Sequence, residues 1–283
     1  MTGGCYEGRV TLTIGDVIAV LDEMYPPATA QSWDKVGLVS GDPSAPVTRV
    51  HLALDPALAV IEEARDLGAE LLLTHHPLLM RGVHSVASTS AKGSAVVALI
   101  RGDLALYVAH TNADVAERGV NAALAAACGL GATEPLVIEE HQPMGRVGDL
   151  PEPMSLREFA TTLADALPAA PVGLRVAGPP DAPVRRVAVA GGAGDGLLGA
   201  ARDAGADVYV TADLRHHPAL EAREEAGGPP YLIDAGHWAS EACWLPWAAA
   251  DLREHLGATA TITVSGLCTD PWTFVVASAP PGG

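Results

Sequence analysis

The chain has 283 residues, of which 49% are hydrophobic, and its formal net charge is −17. This length suffices for one large domain or two smaller ones, and the 17 Lys and Arg residues are too few to favour binding to DNA or RNA. The sequence has no apolar run of about 18 residues and no charged start followed by an apolar segment. We therefore predict no membrane span and no secretion signal, and we expect a cytoplasmic protein.

Two segments of the chain predict helices with the same start signal. They are "TIGDVIAVLDEMYP" from Thr13 and "SLREFATTLADALP" from Ser155. Each opens with a hydroxyl residue and has an acidic residue three positions later, which predicts a capping box. Apolar residues then follow at helical spacing, and each segment ends at a proline.

The likeness between these helices extends along the chain and predicts an internal duplication. The segment from Val36 to Thr74 has a counterpart from Val172 to Thr211, and the alignment has no gap from Val50 to Thr74. We predict a first half at 1–138, a connector at 139–151 and a second half at 152–283. Strands and helices alternate in each half, which predicts an α/β fold with mainly parallel sheets covered by helices, in halves that can intertwine as one structural unit.

Histidines and carboxylates follow the predicted strands at matching places in both halves. Strand "LLLT" leads into a histidine pair, and strand "VYVT" leads into "ADLRHHP" with a second pair. Two other strands each lead into a histidine with an acid four positions later. Ligands in α/β sheets gather at the carboxyl ends of strands, so we predict one site between the halves. The residues concerned are His75, His76, His216, His217, His110, Asp114, His237 and Glu241.

These residue types and spacings indicate a metal site. An H-x-x-x-E pair entering a helix presents both side chains on one face, whereas adjacent histidines diverge and suit two ions a few ångströms apart. We predict two divalent ions, with ligands His75, His76, Asp114, His237 and Glu241. The roles of His110, His216 and His217 stay open between lining the pocket, moving protons and binding metal. Zinc, iron and manganese fit this ligand set almost equally.

Two further features have open interpretations. The segment "GGAGDG", from Gly191 to Gly196, follows a strand and precedes a helix. It is either a tight turn or a contact for a phosphate near the metals. Residue Lys35 in "SWDKVGL" lies in a second candidate loop. His84 and His141 are predicted in loops, and His51 and His255 in a strand and a helix.

The motifs "SWDKVGL", "LTHHPL", "AHTNADVAERGVN", "GRVGDLPEPMSLREF" and "GHWASE" resemble those of a known family. It is the GTP cyclohydrolase I type 2 homologues, also called NGG-interacting-factor-like dinuclear metal proteins. The resemblance implies duplicated α/β halves that share a dinuclear site, with ligands at the five positions named above, and ring-shaped hexamers. The connector is too short for the domain that longer members insert there. Lys35 stands where many members have asparagine.

Two functions follow as hypotheses. The first is a metal-dependent hydrolase of GTP cyclohydrolase type, acting through a metal-bridged hydroxide on a nucleotide or phosphate substrate. The second is a non-catalytic metal scaffold, metal chaperone or regulatory ring, in which the ions contribute to folding.

Overall fold

Two separate sheets organise the chain, seen here in a computed structural model that describes residues 11–276. Of these, residues 11–27, 35–109 and 249–265 form a first compact unit. Residues 28–34, 110–248 and 266–276 form a second unit. Helices and sheets in both units confirm the α/β class. Within the described residues, none of the helices has the length and apolar character needed to cross a bilayer.

The order of elements along the chain follows the predicted alternation. They are α1 (Ile14–Met24), β1 (Gly37–Ser40), β2 (Arg49–Ala53), α2 (Leu58–Asp66), β3 (Leu71–Thr74), α3 (Ala91–Arg101), β4 (Ala105–Val108), α4 (Thr111–Val115), α5 (Val120–Ala127), β5 (Thr133–Glu139), β6 (Gln142–Ser155), α6 (Leu156–Ala166), β7 (Arg175–Ala177), β8 (Pro183–Ala193), α7 (Leu198–Asp203), β9 (Val208–Ala212), α8 (His216–Ala226), β10 (Tyr231–Asp234), α9 (His237–Ala242), α10 (Leu245–Leu256) and β11 (Thr261–Val264).

The first unit contains a five-stranded sheet in the order β1-β4-β3-β2-β11. Its inner pairings are parallel, and only β1, at one edge, runs antiparallel to β4. All four residues of β3 are buried, as expected for a strand covered on both faces. The carboxyl ends of β2, β3 and β4 therefore lie along the same edge of this sheet.

The second unit contains a six-stranded sheet in the order β5-β6-β8-β9-β10-β7. Here only β8, β9 and β10 are mutually parallel, so the sheet is mixed rather than mainly parallel. The antiparallel pairs are β5 with β6, β6 with β8 and β10 with β7. Strands β5 and β6 form a hairpin whose turn residues, Glu140 and His141, both have positive φ, as a type I′ turn requires. The predicted connector, 139–151, covers the end of β5, this turn and most of β6.

The boundaries of the two units differ from those of the predicted halves. Strand β5, from the first predicted half, lies in the sheet of the second unit. Strand β11, from the second predicted half, pairs in parallel with β2 in the first unit. The division at 139–151 therefore remains a prediction about sequence duplication, distinct from the spatial units.

A buried polar network attaches β11 to the first unit. His51 on β2 lies opposite Thr263 on β11, and its Nδ1 is 2.8 Å from the Thr263 hydroxyl. Its Nε2 is 3.1 Å from a carboxylate oxygen of Glu63 on α2, which also accepts a hydrogen bond from Ser265. His51 is 1% exposed, so these partners satisfy a polar ring inside the core. His51 therefore has a structural role.

Both predicted capping boxes are confirmed. Thr13 and Asp16 begin α1, and Ser155 and Glu158 begin α6, with reciprocal hydrogen bonds in each pair. The apolar positions of both helices are buried, including Leu21 and Phe159. Backbone and side-chain hydrogen bonds from Ser155 lower the pKa of Glu158, and bonds from Thr13 do the same for Asp16.

Replacing Ser155 with alanine is expected to cost about 1 kcal/mol of unfolding free energy at pH 7, because an amide at the start of α6 loses its acceptor.

Since the folded pKa of Glu158 is lowered, the stability that this carboxylate contributes is present above its unfolded pKa of about 4.3 and is lost as the pH falls through the folded value. Urea unfolding of the parent and Glu158→Gln should therefore differ at pH 7 and converge in acid. A constant difference at all pH values would contradict this assignment.

Candidate metal centre

The histidine pair of the first unit follows β3 directly, and both rings are anchored through Nδ1. Nδ1 of His75 lies 2.9 Å from the carbonyl oxygen of Ala109, and Nδ1 of His76 lies 2.7 Å from a carboxylate oxygen of Asp55. A carbonyl oxygen only accepts, so Nδ1 of His75 carries the proton. This tautomer directs the lone pair of Nε2 toward a metal ion.

Local packing fixes the separation of these two rings. Their centroids are 5.1 Å apart, and the ring planes are inclined by 44°. The Thr74 hydroxyl donates to the His76 carbonyl oxygen at 3.0 Å, which restrains the backbone where the strand ends. His75 is buried, and the His76 side chain is 20% exposed. The two imidazoles are thus held in different, fixed orientations.

His110 belongs to the second unit and precedes α4. Its Nδ1 lies 3.0 Å from both carboxylate oxygens of Asp34, which also accepts hydrogen bonds from the Thr111 amide and hydroxyl. Burial alone would raise the pKa of Asp34, but the hydrogen bonds from His110 and Thr111 outweigh it and hold this pKa well below its usual range. Asp34 is therefore an ionised carboxylate that orients the His110 ring.

Asp114 lies one helical turn after His110, with its amide donating to the His110 carbonyl oxygen at 3.0 Å. Its Oδ1 atom is shielded from solvent. The side chain of Asn121 on α5 connects this helix to β8: its amide donates to the Asp114 carbonyl oxygen, and its own oxygen accepts from the Gly191 amide. Asn121 thereby fixes Asp114 relative to Gly191 on β8.

His237 and Glu241 lie one turn apart on α9, as their spacing predicts. Nε2 of His237 is 3.2 Å from Oε2 of Glu241, so the two candidate ligand atoms are already adjacent. Nδ1 of His237 is 2.8 Å from a carboxylate oxygen of Asp213, which follows β9 with a φ of 52°. Glu241 is only 4% exposed. Such a buried carboxylate beside an oriented imidazole is typical of a metal ligand pair.

The glycine-rich end of β8, which includes Gly191 and Gly192, packs directly against this pair. A Cβ atom added to Gly192 would lie 2.3 Å from Oε1 of Glu241 and 3.3 Å from Nε2 of His237, and the φ of Gly192 is +67°. The amides of Gly191 and Gly192 donate to Asn121 and Ser240. The segment from Gly191 therefore does not follow the strand, as predicted, but begins within β8 at an irregularity in its pairing with β9. A phosphate contact at these two amides is disfavoured, because both already donate within the protein.

The second histidine pair begins a helix instead of directly following a strand. His216 and His217 are the first two residues of α8 and are exposed. Their sequence counterparts end a buried strand, but the three extra residues of "ADLRHH" allow a helix to begin at His216. Lys35, beside Asp34, is also exposed. These positions leave the catalytic role suggested for His216 and His217 a prediction.

The carboxylates that orient the histidines were missed from the sequence. Asp34, Asp55 and Asp213 are acceptors for His110, His76 and His237. A signal existed, because Asp55 closely follows β2 and Asp213 directly follows β9, at strand ends where ligands gather. Side chains able to hold a metal ion among the described residues include His75, His76, His110, His237 and Glu241.

The donor chemistry is compatible with divalent metal ions. The imidazoles of His75, His76 and His237 are each anchored at Nδ1 by a carbonyl or carboxylate oxygen, the outer contact that metal-binding histidines usually make. The missing Cβ of Gly192 leaves room for the Glu241 carboxylate beside His237. Imidazole nitrogen and carboxylate oxygen together suit zinc, iron and manganese.

Comparisons with known proteins identify the family of this chain. Residues 12–271 match the family model of Duf34/NIF3 (NGG1p interacting factor 3). A protein of Streptomyces coelicolor called "GTP cyclohydrolase 1 type 2 homolog" is 49% identical, over 94% of this chain and 96% of that protein. A Mycobacterium tuberculosis protein of the same name is 36% identical over 93% of this chain and 97% of its own length. That alignment spans 375 positions, more than this chain has residues, so the mycobacterial protein carries additional internal segments.

A solved structure has the same fold. The Bacillus cereus protein related to NIF3 superimposes with a TM-score of 0.86 at 27% sequence identity, covering 94% of this chain and 100% of that chain. Both the sequence match and the superposition span nearly the whole chain. The chain therefore belongs to the Duf34/NIF3 (NGG1p interacting factor 3) family.

Proposed function

We propose that this protein binds two divalent metal ions and uses them for hydrolysis of the GTP cyclohydrolase type. The proposed ligands are His75, His76, Asp114, His237 and Glu241. The observation that carries the proposal is the shared anchoring of the three imidazoles at Nδ1, which leaves Nε2 as the donor atom in each. One anchored histidine would be weaker support for a metal site, since a buried histidine is often only a hydrogen-bonded core residue.

The bound ions would supply Lewis acidity and lower the pKa of water, which is the chemistry that hydrolysis at neutral pH requires. The chain itself would contribute orientation. Asp55 and Asp213 hold the rings of His76 and His237, and the Gly192 backbone supports the Glu241 carboxylate. These contacts fix the ligands before any ion binds, which lowers the cost of ordering them.

His110 is our candidate for proton transfer. Its ring is oriented by the ionised Asp34 in the same way as the proposed ligands are oriented, and it lies one turn before Asp114. An imidazole held at Nδ1 by a carboxylate presents Nε2 as a proton acceptor or donor. His110 is also able to serve as an additional ligand. We propose no catalytic role for His216 or His217, which are exposed at the start of α8.

The substrate class follows from the relatives' name. Proteins called "GTP cyclohydrolase 1 type 2 homolog" cover most of this chain, so we propose a purine nucleotide as substrate. A second candidate function is a non-catalytic metal protein. This alternative is favoured because Asp114 lies on α4 whereas His237 and Glu241 lie on α9. An ion bound by all three would hold these two helices together and contribute to folding.

Assembly into a ring-shaped homohexamer is part of the proposal. Several apolar side chains near the end of the described chain are exposed, which supports contact with other copies. They are Leu267, Trp272, Phe274, Val275 and Val276. Their burial between subunits would remove apolar surface from water.

Metal content tests the ligand assignment. Purified parent protein is expected to contain up to two transition ions per chain by elemental analysis, whereas His76→Ala and His237→Ala should each contain fewer, because each loses a donor atom. His84→Ala is the matched control, since His84 is an exposed loop residue. Equal metal content in all four proteins would end the proposal.

Catalysis is tested separately on metal-loaded protein. Incubation with GTP, phosphoesters and cyclic amides should give turnover that a chelator removes and that His110→Asn reduces without reducing metal content. Absence of turnover, together with a large fall in thermal stability on chelation, would instead favour the non-catalytic alternative. Turnover that persists after complete metal removal would contradict both functions.

A further inference from the structure

We propose that Trp33 is the stacking surface for the planar base of the substrate. This inference extends the proposed function by assigning a residue to substrate recognition. It rests on an exposed indole that lies beside His110 and that is held in place by contacts on both sides. All of the residues concerned belong to the second unit.

The position of Trp33 is unusual for so large an apolar side chain. It is 51% exposed, although indole is among the side chains that gain most from burial. Its ring centroid is 6.0 Å from that of His110, and the ring planes meet at 79°. An edge-to-face contact of this kind differs from parallel stacking and leaves indole surface available for a ligand.

The turn that carries Trp33 is well restrained. Ser32 and Trp33 occupy the centre of a turn closed by a 2.9 Å hydrogen bond from the Asp34 amide to the Gln31 carbonyl oxygen. Before Trp33, the Gln31 amide donates to the Thr111 hydroxyl, and the Ser32 amide and hydroxyl donate to the Glu140 carboxylate at 2.7 and 2.8 Å.

After Trp33, the turn is anchored by Asp34. This residue is buried and bonded to His110 and Thr111. The same residue therefore orients the candidate proton carrier and holds the backbone beneath the indole. A surface loop without a ligand has no need of such order, whereas a preorganised aromatic surface lowers the entropic cost of binding.

A planar heteroaromatic ring is the ligand class that best fits this surface. Indole stacks on any nucleobase through π contact and apolar burial, without needing a particular hydrogen-bond pattern. The carboxylates of Asp34 and Glu140 already accept hydrogen bonds from His110, Thr111 and Ser32, so they do not form a site for a cationic ligand. A base stacked on Trp33 would place its edge near His110, where proton transfer is proposed.

Binding of guanosine, which has the base without phosphates, tests the inference. Titrations of metal-loaded parent, Trp33→Ala, Trp33→Phe and Trp272→Ala should be compared by calorimetry. Trp33→Ala is expected to bind guanosine about fivefold to a hundredfold more weakly, because one stacking contact is lost. Trp33→Phe should retain most of the affinity. Trp272 is 65% exposed and belongs to the proposed assembly surface, so Trp272→Ala should leave guanosine affinity unchanged and separates a loss of assembly from a loss of stacking. Binding of ribose 5-phosphate should be the same in all four proteins.

Several results would overturn the inference. In the first, the parent fails to bind guanosine, and in the second, Trp33→Ala binds guanosine as tightly as the parent does. A third contrary result is that Trp33→Ala loses affinity for ribose 5-phosphate by the same factor as for guanosine. A change in the mass of the Trp33→Ala oligomer with unaltered guanosine affinity would assign Trp33 to a protein interface instead. Hydrolysis is not needed for this measurement. If guanosine binding depends on Trp33 but GTP is not turned over, the proposed enzyme activity is contradicted and the stacking role of Trp33 is retained.

Discussion

Replacing Gly192 with alanine is expected to weaken metal binding by about tenfold to a hundredfold, although the residue itself binds no ion. The new Cβ would lie 2.3 Å from Oε1 of Glu241, closer than such atoms approach, so the carboxylate must turn away. The end of a glutamate side chain moves at small cost to the fold. The strain of a positive φ in alanine adds about 1 kcal/mol of destabilisation. The main loss therefore falls on metal affinity rather than on stability.

Gly196→Ala is the matched control for this change. Gly196 belongs to the same glycine-rich segment, from Gly191 to Gly196, and an added Cβ there would meet no atom within 4 Å. Both variants should be loaded with zinc and titrated with a competing chelator, and their unfolding in urea should be compared. If Gly192→Ala holds zinc as tightly as Gly196→Ala does, the Glu241 carboxylate is not a ligand in the orientation seen here.

Replacing Arg146 with methionine is expected to cost about 3 kcal/mol of unfolding free energy, the largest loss of stability predicted for a single side chain here. Arg146 is 8% exposed and donates to carbonyl oxygens of Pro143, Gly145, Val115 and Ala116. Burial lowers the pKa of its guanidinium, but no ordinary pH removes the charge. Methionine fills a similar space but removes all four hydrogen bonds, although the Ala116 carbonyl oxygen keeps the Gly119 amide as a donor.

The effect of Arg146→Met should also reach the candidate metal centre. Val115 and Ala116 end helix α4, and a cation at the end of a helix stabilises its last carbonyl groups. Asp114 is the preceding residue, so metal affinity should fall together with stability. Arg157→Met, at an exposed position on α6, should change unfolding by less than about 0.5 kcal/mol. Similar unfolding curves for the two variants would contradict the role assigned to Arg146.

The parts of the fold that local sequence determines were predictable. The capping boxes at Thr13 and Ser155 could be identified because a hydroxyl residue and an acid three positions later complete their hydrogen bonds within one turn. The burial of β3 could likewise be predicted from its continuous apolar run. The mixed second sheet could not, because the pairing of β6 with β8 depends on segments far apart in the chain.

The candidate site shows the same division. The H-x-x-x-E spacing was enough to predict that His237 and Glu241 are neighbours. Asp55 could be recognised as a residue near a strand end, but its contact with His76, 21 positions away along the chain, depends on β2 and β3 lying side by side. Duplication was also a misleading guide to His216 and His217, since three added residues move that pair from a strand end into the first turn of a helix. Binding by the five proposed ligands stays a prediction for the metal measurements.

The pairing of β11 with β2 has a consequence for synthesis of the protein. The sheet of the first unit begins near residue 37, yet its last strand ends at Val264. A nascent chain therefore exposes the unpaired edge of β2 until nearly all of the protein has left the ribosome, and such edges invite pairing with other chains. During this interval the Nδ1 atom of His51 also lacks its hydrogen-bond partner, the Thr263 hydroxyl. Premature termination before β11 would yield a chain prone to aggregate, even though most of its first unit had been made.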